Sequence, residues 1–156
     1  MTEVRFYHLQ RKSLEQALPP LLEKVLERGM RAVVLAGSEE RIEAFNQLLW
    51  TWDPASFLPH GSRRDGSAAA QPVWLTTVAE NPNGAQVLVQ TDGAGGDSAG
   101  LDGSGLEGIA LVCDLFDGND PEAVAAARQR WRSCKAAGHQ LTYWQQSATG
   151  GWERKT

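Results

Sequence analysis

Long apolar runs are missing from this chain: among its 156 residues none approaches the roughly 20 consecutive apolar side chains that a bilayer-spanning helix requires, so no transmembrane segment is expected. The opening stretch MTEVRFYHLQRK lacks the apolar centre of roughly 7–15 residues found in secretory signals, which points to a protein that stays in the cytoplasm. Cysteine is scarce. Cys113 and Cys134 have neither CxxC spacing nor a nearby histidine cluster, so no metal site is expected and both should be buried, reduced thiols. Positive charge is not in excess either: 15 Lys and Arg against 19 Asp and Glu leave a net charge of −4, which argues against broad adhesion to nucleic acid.

Catalytic and nucleotide motifs are also missing. There is no GxxxxGK[ST] phosphate loop and no GxSxG elbow, and His8, His60 and His139 are scattered along the chain. Residues 103–108 read GSGLEG, but this GxGxxG match lies in a Gly/Ser stretch that runs into an apolar strand. The dinucleotide fingerprint needs the reverse order, a strand followed by a helix N-terminus. Neither an enzyme activity nor a cofactor is expected. Asp114 and Asp117 follow an apolar strand, where α/β proteins often carry site residues. The favoured reading is a DGND turn at 117–120 that caps the next helix.

What is present is a strand–helix alternation. Strands are predicted at 4–9, 31–36, 73–78, 85–91, 108–115 and 140–144, and helices after Ser13, after Ser38 and over 121–138. Ser13 with Gln16 makes a capping box, but Pro19 and Pro20 either kink this first helix or mark its true start. The pattern predicts a single α/β domain over 1–146. Its central sheet should be mostly parallel or mixed, with helices on both faces, and Rossmann-like without phosphate-binding glycines. Mixed strand direction is expected where two strands follow each other without a helix. Residues 61–70 and 92–107 read as loops, the second rich in Gly, Ser and Asp and expected to be mobile, and 147–156 as a frayed tail.

Two features suggest contact surfaces. On the last helix Arg128, Trp131, Arg132 and Lys135 fall three, four and seven apart, which stacks three cations and an indole on one side. Such stripes are usually solvated surface, but an indole gains much from burial and either packs inward or borders a site. The segment LLWTWDPASFLPH at 48–60 concentrates aromatics and prolines in a loop. Loops are normally polar, so this one either packs inward or meets another protein.

The segments VRFYHL, LLWTWDPASFLPHG, LVCDLFDG and RQRWRSCKAAGHQLTYW, in this order and spacing, resemble the chi subunit family of the bacterial DNA polymerase III holoenzyme over most of the chain. The resemblance implies a non-catalytic adaptor of the clamp-loader assembly. It further implies that Trp50 and Phe57 contact the psi subunit. Arg128, Trp131, Arg132 and Lys135 would receive the acidic C-terminal tail of the single-stranded-DNA-binding protein, with Arg128, or its rival Arg132, on the terminal carboxylate. In some members a helicase-like repair protein uses the psi surface. Trp131 and Arg132 stand where the family often has tyrosine and lysine, and the 92–107 insert and the extension past Trp144 are unusual for it. The competing reading is a direct single-stranded nucleic-acid-binding module that uses the same helix, with Trp131 as a stacking platform.

Overall fold

The apolar runs become the strands of one sheet. The computed structural model describes residues 3–52, 59–62, 66–78, 80–93, 108–146 and 151–155. In chain order they form β1 (Glu3–Leu9), α1 (Leu14–Glu27), β2 (Ala32–Leu35), α2 (Glu39–Thr51) and β3 (Gly61–Ser62). There follow β4 (Val73–Thr76), β5 (Val87–Thr91), β6 (Leu111–Asp117), α3 (Pro121–Ala136), β7 (Gln140–Gln146) and β8 (Trp152–Arg154). The strand order across the sheet is β3-β4-β2-β5-β6-β1-β7-β8.

Period-2 alternation sorts the strand side chains into two cores. Tyr7, Leu9 and Val34 face α1 and α2, where Leu18, Leu22, Ile42 and Phe45 meet them. Val4, Phe6 and Val33 face the other side, where Ala127 and Cys134 of α3 pack. Helices therefore cover both faces, as the sequence predicts. Cys113 and Cys134 are buried free thiols, and burial pushes the Cys113 thiol up to about 12. No helix among the described residues is long and apolar enough to cross a membrane.

Helix α1 starts at Leu14 and runs through both prolines. Ser13 and Gln16 form the reciprocal capping box, and Leu18, Pro19 and Leu22 are buried. Burial of this face outweighs the two donors the prolines remove. Both α1 and α3 end in the same way: Gly29 and Gly138, at φ of 75° and 86°, donate to Leu26 and Lys135, and the next residues, Met30 and His139, donate back to Val25 and Cys134. This closure needs the left-handed conformation that glycine supplies without steric cost.

Two expectations are corrected. β4 and β5, with no α-helix between them, are not antiparallel; they flank β2 and both run parallel to it. The returning connection is braced by asparagines: Asn81 bonds the backbone of Ala85, and Asn83 donates to the carbonyls of Ala32 and Gln71. The single antiparallel pairing among the described residues is β7 with β8, inside the stretch read as a frayed tail. Trp152 secures β8 by packing edge-on against Tyr7, with ring centroids 4.9 Å apart.

At the end of β1, Gln146 reaches over from β7. Its Oε1 accepts the backbone N–H groups of Gln10, Arg11 and Lys12 at 2.9, 2.8 and 3.0 Å. Three successive amides converging on one oxygen form the kind of nest that elsewhere holds an anion, at the turn where this architecture usually meets phosphate.

Candidate protein-docking site

Helix α3 is fixed at both ends and along its buried side. The Asp120 side chain accepts from the N–H of Glu122 at 3.0 Å, and Pro121 occupies the first helical turn. The inner positions are Ala127, Arg130 and Cys134. Arg130 is only 4% exposed, and it grips Asp114 of β6 through two bonds, Nε to Oδ2 at 2.6 Å and Nη2 to Oδ1 at 2.9 Å. Burial pushes the Asp114 carboxyl above its ordinary range, and the guanidinium opposes this. Asp114 thus belongs to a structural ion pair and not to the turn. Asp117 and Asp120 do form the turn, with Asp117 accepting from the N–H of Asn119.

With Arg130 turned inward, Arg128, Arg132 and Lys135 stand exposed on the outer side, and none forms an ion pair with a described residue. Arg132 donates to Gln129 of its own helix at 2.9 Å. Trp131 does both things the sequence left open. It packs edge-to-face on Phe6 and Tyr143, with centroids 5.3 and 6.0 Å away, and it also walls a cavity of about 250 Å³. Phe116, Val124, Ala127, Arg128 and Tyr143 complete that lining. An apolar pocket with one guanidinium at its edge is the result. Arg132 and Lys135 lie farther along the helix and do not line it.

Beneath the cavity, His8 bonds the Tyr143 hydroxyl and tilts against Phe116. Burial lowers the His8 pKa from its ordinary 6.5; Arg128 adds to the lowering, while the Gly118 backbone and Asp117 oppose it. Gly118 must be glycine, because a Cβ there would overlap the His8 ring and the Leu9 carbonyl. Burial raises the Tyr143 phenol, against the pull of Arg128.

Trp50 lies elsewhere. It ends α2, which packs over β3 and β4 on the face opposite α3, and it is 59% exposed with its ring edge-on to His60 at 5.0 Å. Phe57 lies outside the described residues. Among the described residues no group of three or more His, Cys, Asp or Glu is placed to hold a metal.

Comparison with known proteins adds to this geometry. The model of the DNA polymerase III chi subunit family (HolC) matches residues 1–142. This chain belongs to the DNA polymerase III chi subunit family. A relative in Rickettsia prowazekii (strain Madrid E), described as a probable DNA polymerase III subunit chi, is 35% identical over 89 residues. That match covers 57% of this chain and 54% of the relative, so it spans about half of the relative's length.

Sequence reasoning missed the cavity's floor. Phe116 and Tyr143 come from β6 and β7, and the signal that could have found them is alternation: Phe6 pairs in register with Tyr143, on the same face. It also missed Arg130. A charged residue spaced three and four from Ala127 and Cys134 falls on the buried side of the helix, and such a charge requires a buried partner.

Proposed function

We propose that this chain is a non-catalytic adaptor of the replicative DNA polymerase, working in the cytoplasm. It would link the clamp loader, through the psi subunit, to the acidic C-terminal tail of the single-stranded-DNA-binding protein. The observation that carries the proposal is the cavity beside Trp131 with Arg128 at its edge and Arg132 and Lys135 farther along α3. A tail that ends in acidic residues, an aromatic run and a free carboxylate needs an apolar pocket, a planar guanidinium for the carboxylate and further cations for the acids. The exposed indole of Trp50 is the surface offered to psi, or to a helicase-like partner that uses the same face. Family membership supports the replisome setting.

Direct binding of single-stranded nucleic acid through α3 fits less well. Trp131 is half buried against Phe6 and Tyr143, whereas base stacking needs an open ring face. The test is calorimetric titration with a peptide copy of the host's single-stranded-DNA-binding protein tail, alongside an Arg128→Ala variant. Binding that weakens with salt and falls at least tenfold in the variant supports the reading. No binding at low salt by folded protein overturns it, and binding of a bare oligonucleotide in its place favours the nucleic-acid module.

A further inference from the structure

Faces of parallel sheets are normally covered by helices, and on one side the helices among the described residues cover the sheet only in part. α1 packs toward β6 and α2 toward β3 and β4, which leaves Trp144 of β7 and Trp152 of β8 half-buried beyond α1. A cleft of about 260 Å³ lies between that helix and these strands. Its apolar lining includes Tyr7, Trp144, Trp152, Pro20 and Leu21.

The charged side chains that line the cleft are cations. Among the described residues Arg5, Lys12, Lys24 and Arg28 line it, and no carboxylate does. Arg5 is held by Glu3 at 2.6 Å, but the exposed Lys12, Lys24 and Arg28 form no ion pair with a described residue. Gln146, 5% exposed, lines the same cleft, and its Nε2 has no hydrogen-bond partner. In a chain of net charge −4, an apolar trough edged by the exposed cations Lys12, Lys24 and Arg28 selects a ligand that is both acidic and apolar.

Shape narrows the class. Gln16, Pro20, Lys24 and Arg28 recur every four residues along α1, so the stripe they form spans roughly 18 Å at about 1.5 Å per residue. That length suits three turns of a helix lying beside α1 and completing the missing cover. We infer that this cleft docks an acidic amphipathic helix of a partner protein, with its apolar stripe on Trp144 and Trp152 and its carboxylates on Lys24 and Arg28. A nucleic-acid strand is the poorer fit, because both indoles already lie against Tyr7, Trp144 stacked and Trp152 edge-on. This surface is separate from the α3 cavity, which shares no lining residue with it.

The probe is a synthetic 16-residue peptide with leucines at helical spacing and glutamates elsewhere, set against a scrambled peptide of the same composition, a lysine-for-glutamate version and a 12-nucleotide oligo-dT. Affinities are measured by calorimetry at low salt for the full chain, a Lys24→Glu/Arg28→Glu variant and Arg128→Ala. The expected result is binding of the acidic amphipathic peptide at least tenfold tighter than of the scrambled or lysine peptide. The double charge reversal should weaken it at least tenfold, and Arg128→Ala should change it less than twofold. Both reversed residues are exposed, so the variant should keep its circular dichroism. The inference is overturned if no peptide binds, if the scrambled peptide binds equally, if the reversal changes affinity less than twofold, if Arg128→Ala abolishes binding, or if oligo-dT alone binds. A failure confined to these arms leaves the tail titration of α3 standing.

Discussion

Arg128 and Arg130 sit two positions apart on α3, and the difference in burial assigns them opposite duties. Arg130 is sealed against Asp114, and removing it would strand a carboxylate in the core. Arg130→Ala is therefore expected to cost about 3–5 kcal/mol in urea unfolding, whereas replacing both partners with apolar residues, as Arg130→Met with Asp114→Leu, should recover most of that loss. Arg128→Ala, at an exposed site, should change stability by no more than about 0.5 kcal/mol. His8 gives a pH signature. Its folded pKa lies below the ordinary 6.5, so as pH falls through that value the unfolded chain takes up a proton first, and stability present above it is lost. Unfolding midpoints measured from pH 7.5 to 5.5 should fall, and His8→Gln should flatten the slope. At this scale the Arg128–Trp131 pairing was legible from helical spacing alone. Arg130's partner was not, because Asp114 is sixteen residues away and meets it only once α3 has docked on β6.

Helix ends were the most legible elements. Ser13, Ser38 and Asp120 cap where the sequence places caps, since these side chains bond backbone donors within their own turn. Asp120→Ala should cost about 1 kcal/mol by thermal or urea unfolding. Tail affinity at a temperature where the variant is folded should stay the same, because the Asp120 side chain bonds Glu122, which does not line the cavity, and the backbone bond from Val124 to residue 120 is kept. Elements whose existence depends on distant partners were not legible. β8 is three residues long and forms because β7 offers an edge and Tyr7 receives Trp152. The parallel course of β4 and β5 follows from both pairing with β2, a choice no local pattern encodes. The passage of α1 through two prolines was equally hidden, because the buried face that compensates for them appears only when the sheet is assembled.

Across the whole molecule, acidic charge dominates the sum while cations collect on particular faces. Trp50 and the α3 cavity lie on opposite faces of the sheet. Trp50→Ala should therefore lose psi affinity in a pull-down or titration while tail affinity changes less than twofold; loss of both with an unchanged circular dichroism spectrum would contradict separate surfaces. The α/β class and its two-sided cover were readable from alternation, and the cationic stripe of α3 from its spacing, but the cavity itself is a product of three elements meeting.

The bond set of Gln146 has a consequence for the first βα turn. In carriers built on this architecture that turn exists in two conditions, with an anion and without one, and the change between them is available as a signal. Here the anion's place is taken by a carbonyl oxygen covalently tied to β7. The three amides that would otherwise receive a ligand are thus already engaged by the protein's own side chain, and the shape of the turn depends on β7 instead of on a bound group.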